Sequence, residues 1–491
     1  MLHSATLTSD GTTRTAEDVP SVSPRHASQL ALDPPIDPWV GLPAFEIRPE
    51  WKDQQRLWGH SFHPMCSYLA SFPASLTHAF IARYSRPGDV VFDPFSGRGT
   101  TPLQAAAEGR VGVGNDLNPF AHLLTAAKVE PPTPAEARAR ITALRLGWAT
   151  ESSTWEALAA RVTAEVAAEP SGATACVPRA GSGDRPFAAG HPERIPVEVA
   201  IAFHPRTLAQ LLYVRSMLQL DERTDRFLAA ATTGILHGRS ASYLSEIMPN
   251  TFSMAPRYVR EFAARTGARS PERDVFDCLE RKLDRLFRQP IPPTYGLALL
   301  GDARDAAERA GDALRARGLP DRARLVVTSP PYLRVVKYGS YNWLRTWFLG
   351  FDAATIDKQL DDAHHREPYL AFMRDVLAGL RAALTDDAVV VLVIGDVELD
   401  RGRRISSGIG LAGQVWEAAA APEGFRLAGI AVDEVRAERK MTKLWGDEAG
   451  RATKTDRLLV LGATEAGRRR ALGGASLPVD WTWPPRRLRA L

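Results

Sequence analysis

Four consecutive residues, Ser329-Pro330-Pro331-Tyr332, place a hydroxyl, backbone carbonyls outside regular pairing and an aromatic ring at one corner of the chain. They follow Leu325-Val326-Val327, an apolar run that reads as a buried strand. Two prolines in a row can neither extend a central strand nor enter a helix interior, and Pro331 biases Pro330 away from helical angles. The strand is therefore expected to end in a rigid, extended corner at the carboxyl edge of a sheet, where open α/β sheets bind ligands. Such groups suit the gripping of a planar base that carries an exocyclic amino group. Pro-Pro-Tyr also occurs in loops and in peptides that other domains read.

A second constellation lies far upstream. Val90-Val91-Phe92-Asp93-Pro94-Phe95-Ser96-Gly97-Arg98-Gly99-Thr100-Thr101 reads as a strand, a glycine turn and a helix start. Gly97 and Gly99 let the backbone come close to a ligand, and the helix beginning near Thr100 offers free amide donors. A dinucleotide fingerprint fails because its third glycine would fall on Pro102, and the phosphate-loop pattern is absent. The strand Val111–Asn115 closes on Asp116, an acidic residue placed to accept from ribose hydroxyls. Leu299-Leu300-Gly301-Asp302 is a second short strand closing on an aspartate. Either aspartate could also cap a helix.

These segments resemble the S-adenosylmethionine-dependent DNA amino-methyltransferases, which modify N4 of cytosine or N6 of adenine. Thr328-Ser329-Pro330-Pro331-Tyr332 resembles their catalytic motif, in the serine form usual for the N4-cytosine branch. Asp93-Pro94-Phe95-Ser96-Gly97-Arg98-Gly99-Thr100 resembles their motif I, and Asn115-Asp116-Leu117-Asn118-Pro119 their motif II. Ser61-Phe62-His63-Pro64 and Ser71-Phe72-Pro73 resemble the segment before motif I that closes over the methionine part of the cofactor. The resemblance implies an α/β fold, a Rossmann-like class I methyltransferase sheet. It implies catalysis by Ser329, Pro330, Pro331 and Tyr332. It implies S-adenosyl-L-methionine held by Phe72, Asp93, Pro94, Phe95, Ser96, Gly97, Gly99, Thr100, Asp116 and Asp302. In that scheme Asp93 lies near the ammonium group, Phe95 packs on the cofactor, and Asp302 accepts from its adenine amino group.

An exocyclic amino nitrogen shares its lone pair with the ring and is a poor nucleophile. Two acceptors aimed at its hydrogens favour a more tetrahedral nitrogen as charge develops. The Pro330 carbonyl and the Ser329 side chain are the expected acceptors, with Tyr332 stacking on a base flipped out of the duplex. Unstacking costs a few kcal/mol, which base–aromatic stacking of ~1–3 kcal/mol largely offsets. A cytosine-C5 mechanism would need a nucleophilic cysteine, typically after proline, and none of Cys66, Cys176 and Cys278 follows one.

The elements that must position these groups divide the chain of 491 residues. Residues 1–45 read as a disordered tail rich in Ser, Thr, Asp and Pro. Residues 46–130 form the cofactor-binding half of the sheet. At Thr133-Pro134-Ala135-Glu136 a capping box with proline at the first helical position announces a mainly helical insertion over 131–296. Leu208, Leu211 and Leu212 mark one amphipathic face, and Phe276, Leu279, Leu283, Leu286 and Phe287 another. The Gly-, Pro- and Ala-rich stretch 170–196 reads as a loop. Residues 297–463 form the catalytic half, and 464–491 a basic tail. The insertion is a candidate for target recognition, although it lies earlier than in the class that places it before the catalytic motif.

Candidate contacts to nucleic acid are Arg334, Lys337, Tyr338 and Arg345 beside the catalytic corner, and Arg239, Asn250 and Arg257 in the insertion. Loop packing explains the insertion residues equally well, and core packing explains Trp347 and Phe348. Arg468-Arg469-Arg470 and Arg486-Arg487 could meet phosphate or form solvated faces. His60, His63 and Cys66 lack the partners of a metal site, so no metal is expected. Hydrophobic content of 45% and charge of 24% are those of a globular protein. No apolar run is long enough for a bilayer, the N-terminus lacks a secretion pattern, and three cysteines fit a reducing cytoplasm. A net charge of +4 leans towards a polyanionic partner. The expected activity is site-specific methylation of cytosine N4 in double-stranded DNA, alongside a separate restriction or defence component. Adenine N6, an RNA base (guanine N2 or adenine N6) and a catalytically silent DNA-binding relative are the alternatives.

Overall fold

The computed structural model describes residues 36–37, 41–69, 71–168, 175–176, 194–248, 253–331, 337–360, 365–395, 410–434 and 455–484. Its centre is a seven-stranded sheet. In chain order the strands are β1 (Val90–Asp93), β2 (Val111–Asp116), β3 (Leu297–Leu300), β4 (Ala323–Thr328), β5 (Leu384–Gly395), β6 (Arg426–Glu434) and β7 (Thr455–Gly462). In space they run β3-β2-β1-β4-β5-β7-β6. The first five are parallel and β7 is antiparallel to both its neighbours. The chain winds one way from β1 to β3 and the other way from β4, so the winding reverses between β1 and β4. In such sheets the crevice outside the strand ends at that reversal is where ligands sit.

The strands read as unbroken apolar runs because both faces are covered. On one face Val91, Leu325, Val327 and Val391 meet Leu76 and Phe80 of α1 (Ala74–Tyr84), Ala105 of α2 (Thr100–Ala107) and Ala471 of the C-terminal helix Glu465–Gly474. On the other, Phe92, Val113, Val326 and Val390 meet the helices Ala306–Ala316 and Arg366–Ala382.

Among the described residues the segment between β2 and β3 is mainly helical, as the periodicity predicts, with one short antiparallel pair, Ala175–Cys176 with Arg194–Ile195, in the stretch expected to be a loop. It begins with α3 (Pro119–Val129), followed by α4 (Pro134–Ala168), α5 (Val197–Ala202), α6 (Pro205–Met217), α7 (Arg223–Thr233), α8 (Pro256–Thr266) and α9 (Val275–Leu286). The capping box is formed: Glu136 N donates to Thr133 Oγ1 at 3.2 Å, and Thr133 N donates to Glu136 Oε2 at 2.7 Å. Leu208 and Leu211 of α6 and Phe276, Leu279 and Leu283 of α9 are buried on the faces read from their spacing.

This insertion shares its core with the rest of the molecule. The apolar cluster that contains its helices also contains Phe62, Met65 and Tyr68 before β1, Phe120 and Leu124 of α3, and Trp343, Leu344 and Phe348 beyond β4. The Phe62 ring lies 5.4 Å from Phe227 and 5.6 Å from Phe287, edge-on to both. The ends of the insertion meet, since Gly296 N donates to Val129 O at 3.0 Å. A side chain at Gly296 would run into the Gly112 carbonyl.

Both expected tails are shorter than their composition suggests. Ile36–Asp37 pairs with Leu42–Pro43, Phe45 N bonds Ile430 O, and Leu42 and Phe45 are buried against the sheet. Glu465–Gly474 is a helix against β5 and β7, not a basic tail; Arg468 donates to Leu427 O, and Arg470 donates to Asp387 O and Tyr84 O. The guanidiniums of Arg468 and Arg470 thus bind carbonyls of the fold. Trp481 and Trp483 beyond it pack on Trp58 at 5.7 and 5.1 Å. Residues 1–35, most of 170–196, and Arg486-Arg487 lie outside the described residues. Among the described residues no helix is long and apolar enough to cross a membrane.

The shared core predicts one cooperative unfolding event. Leu283→Ala, at a fully buried position, should cost about 2–5 kcal/mol and lower the urea midpoint of helix and sheet signals together. Two separated transitions, with only the helical one moved, would contradict the shared core.

Candidate active site

The turn after β1 is built from the two glycines. Gly97 and Gly99 have φ of 51° and 76°, in the region other residues avoid, and a Cβ on Gly99 would press on Thr125 of α3. Gly97 N donates to Asp116 Oδ2 at 2.8 Å, and Asn118 N donates to Asp116 Oδ1 at 2.9 Å. The acidic end of β2 therefore fixes the glycine bend through its amide. Burial pushes the Asp116 carboxyl up to about 6, against the pull of these amide bonds.

The double-proline corner meets this bend. Thr328 Oγ1 donates to Asp93 Oδ1 at 2.6 Å, joining the ends of β4 and β1, and Thr101 Oγ1 of α2 donates to Val327 O at 2.9 Å. A cavity of ≈ 270 Å³ opens above them. Its wall contains Pro94, Phe95 and Gly97 from the first motif, Asp116, Leu117 and Asn118 from the second, Asp302, Ala303 and Arg304 after β3, and Ser329 and Pro331 from the corner. Four segments distant in sequence thus face one space.

Within it, the Ser329 hydroxyl donates to Val393 O of β5 at 3.1 Å. Its one hydrogen is spent on the sheet, which leaves the oxygen as an acceptor. Pro330, between the two wall residues Ser329 and Pro331, is buried. Asp302 takes the Nε and Nη2 of Arg304 at 3.1 and 2.6 Å, and that pairing holds its carboxyl below the usual range. The Arg304 guanidinium sits 5.8 Å from the Phe372 ring centre, and Phe372 lies 5.8 Å from Phe95.

Several expected site residues have other tasks. Asp93 is 1% exposed and lies beneath the cavity, where it accepts from Thr328 and from Phe95 N. Ser96 and Thr100 are buried behind the bend; Ser96 Oγ is 3.0 Å from Thr125 Oγ1, and Thr100 Oγ1 accepts from Arg98 Nε. Phe72 packs on the far face of the sheet, with the α1 core, and does not reach the cavity. The residue from that segment which does is Tyr68: it lies over Gly97, accepts from Asn118 Nδ2 at 3.1 Å and stacks on Tyr338 at 5.7 Å. Its spacing from Ser61-Phe62-His63-Pro64 gives no cue; only the packing of Tyr68 across the bend reveals it.

Of the nucleic-acid candidates, Tyr338 lines the cavity and Lys337, Arg239 and Arg257 are exposed. Arg257 is paired with Glu261. Arg345 is a correction: it is 3% exposed and donates to Thr233 O and Asn342 Oδ1, so no phosphate reaches it. Tyr332, Arg334 and Asn250 lie outside the described residues. His60 and His63 are held by Pro290 O and Gln104 Oε1.

Burial lifts the Asp93 carboxyl to about 7, outweighing the bonds from Thr328 and Phe95. The folded protein thus binds this proton more tightly than the unfolded chain. Stability from the neutral form is fully present below the unfolded value and is lost as pH rises through about 7. Asp93→Asn keeps an acceptor and cannot ionise. Its melting temperature relative to the parent should rise between about pH 5 and about pH 8, read by calorimetry; a difference independent of pH would contradict this.

Residues 38–127 match a family model described as DNA methylase. The chain is 35% identical over 71 residues to Type II methyltransferase M.MjaII of Methanocaldococcus jannaschii, covering 14% of this chain and 13% of that protein. It is 34% identical over 70 residues to Type II methyltransferase M.Cfr9I of Citrobacter freundii, covering 14% and 23%. It is 43% identical over 49 residues to Orphan methyltransferase M.BamHII of Bacillus amyloliquefaciens, covering 10% and 18%. The matched stretch spans less than a quarter of each of these relatives. Among solved structures, rRNA methyltransferase aviRa from Streptomyces viridochromogenes aligns at a TM-score of 0.30 and 13% identity, over 87% of this chain and 99% of that one. The match to the DNA methylase family model is thus confined to residues 38–127, which hold the glycine bend, Asp116 and Tyr68.

Proposed function

We propose that this protein is a site-specific DNA methyltransferase that transfers a methyl group from S-adenosylmethionine to the exocyclic N4 of cytosine. The observation that carries the reading is the single cavity walled by both Gly97 and Ser329. A donor bound at the glycine bend and an amine held at the proline corner would face each other across it.

The donor set fits the cofactor. A cavity with two carboxylates, Asp116 and Asp302, beside the rings of Phe95, Phe372 and Tyr68 suits a ligand that combines hydroxyls, amino groups and a flat heterocycle. When bound there, S-adenosylmethionine supplies an already activated methyl group, and alignment is what the protein must add. Asp116 and Asp302 are the acceptors for it, and Phe95 and Tyr68 the apolar contacts.

Ser329 does the complementary work on the substrate side. With its hydrogen donated to Val393 O, its oxygen accepts from the amino group of the target base. The Pro330 carbonyl is the second acceptor in this reading, and Tyr332 stacks on the flipped base. The serine at this position is what favours cytosine N4 over adenine N6. The type II names of two relatives favour a partner restriction activity in the same host.

The test is transfer of labelled methyl to duplex DNA, followed by nucleoside analysis. N4-methylcytosine is the expected product; N6-methyladenine alone, or label in RNA only, would overturn the assignment. Ser329→Ala should lower turnover by about 100-fold, the range of one lost oxyanion-type contact, with donor affinity unchanged. Tyr332→Ala should likewise bind the donor and lose most methylation. Unchanged turnover in both would remove the corner from the mechanism.

A further inference from the structure

The residues that hold the two sides of the cavity include two buried lysines, Lys128 and Lys282. Lys128, on α3, is 0% exposed, and its Nζ donates to Arg98 O at 2.5 Å. Arg98 is the residue between the two left-handed glycines of the bend. One turn earlier on α3, Thr125 Oγ1 donates to Gly97 O at 3.3 Å. Lys282, on α9 of the insertion, is 7% exposed, and its Nζ donates to Pro64 O at 3.2 Å. Among the described residues neither lysine forms an ion pair. Each amino group is therefore taken out of water for one backbone carbonyl, an expensive arrangement for stability alone. Burial pushes Lys128 well below its usual value and Lys282 down to about 8.

The carbonyls they grip lie in the two segments that wall the cavity. Arg98 O belongs to the bend that contributes Gly97, and Pro64 O belongs to the segment that contributes Tyr68. The insertion holds that second segment at further points. His60 Nε2 bonds Pro290 O at 2.8 Å, Ser61 Oγ donates to Leu286 O, and Gly234 at the end of α7 lies so close to Met65 O that a side chain would collide with it. Tyr68 then crosses to Gly97, so the two walls touch.

We infer that Lys128 and Lys282 are positioning residues for donor binding, and that the helical insertion is thereby part of the donor site as well as a candidate reader of DNA. Lys128 fixes the orientation of the Arg98 peptide and so the amide face of the bend. Lys282 fixes Pro64–Tyr68 and so the depth of the cavity above it. This rests on the donor assignment made above for what is bound, and on the contacts alone for what is held.

The test uses full-length Lys128→Met and Lys282→Met, which keep volume and remove the donor. Gly234→Ala, whose added Cβ would collide with Met65 O and crowd Lys282 Nζ while both lysines are retained, is the second variant should a methionine not be tolerated, and it should speed exchange in 62–68 as Lys282→Met does. Hydrogen exchange of the ligand-free proteins is read at residues 95–101 and 62–68. Affinity for S-adenosylhomocysteine is read by calorimetry, and KM and kcat on DNA by methyl transfer. Lys128→Met should speed exchange in the bend and Lys282→Met in 62–68, with melting temperatures near the parent's. Both should weaken S-adenosylhomocysteine and raise KM for the donor about tenfold, with kcat at saturating donor retained. Parental exchange in folded variants would overturn the inference, as would faster exchange with parental affinity. A parent protein that binds no S-adenosylhomocysteine would instead sink the donor assignment, leaving the exchange data to judge the clamp.

Discussion

The candidate site depends on a contact between two strand ends. β1 and β4 are neighbours in the sheet, but their following segments diverge, one into the glycine bend and the other into the proline corner. Thr328 and Asp93 join them at 2.6 Å, and Thr101 reaches across from α2 to the backbone of β4. Together these bonds set the distance between the bend and the corner, and so the space in which a donor and an acceptor would be aligned. Alignment of this kind supplies several kcal/mol of a reaction barrier only when reacting atoms sit within about an ångström of the productive geometry. A short, buried bond is a suitable way to hold it. The same burial explains why Asp93 takes up a proton readily, since a neutral carboxyl still accepts from Thr328.

In the sequence the insertion is a region apart, defined by helical periodicity between two stretches of sheet. In space it is continuous with the catalytic half. Phe62, before β1, is clasped by Phe227 and Phe287, and Trp343, beyond β4, donates its indole hydrogen to Met254 O at 2.6 Å. Elements on both sides of the cavity are thus packed against the same helices. A change in those helices has two routes to the site, one through the segment before β1 and one through the segment after the proline corner.

Much of this was legible in the sequence where one residue type has one physical consequence. Gly97 and Gly99 announce positive φ, Pro330-Pro331 ends a strand, and Thr133 with Glu136 starts a helix. Buried parallel strands show as continuous Val and Leu. What escaped depends on partners far away in the chain. Phe72 and Tyr68 are both aromatic residues four apart, and only the sheet decides that one faces the core and the other the cavity. Arg345 sits among basic and aromatic residues that look exposed, yet carbonyl and amide acceptors from Thr233 and Asn342 draw it inside. Arg468 and Arg470 form part of a basic run whose guanidiniums cap backbone carbonyls. The direction of the Ser329 hydroxyl was also beyond reach, because it is set by Val393, on another strand.

The bond between Gly296 and Val129 closes the insertion at its base, leaving β2 and β3 in ordinary register, with Asn115 opposite Leu299. The entropy of closing a loop grows only with the logarithm of its length, so a chain segment of this size burdens the sheet little more than a short one. The cost of the insertion to the sheet is therefore set by how its helices pack, through the core they share with Phe62, Phe120 and Trp343, more than by the length of chain between the two strands.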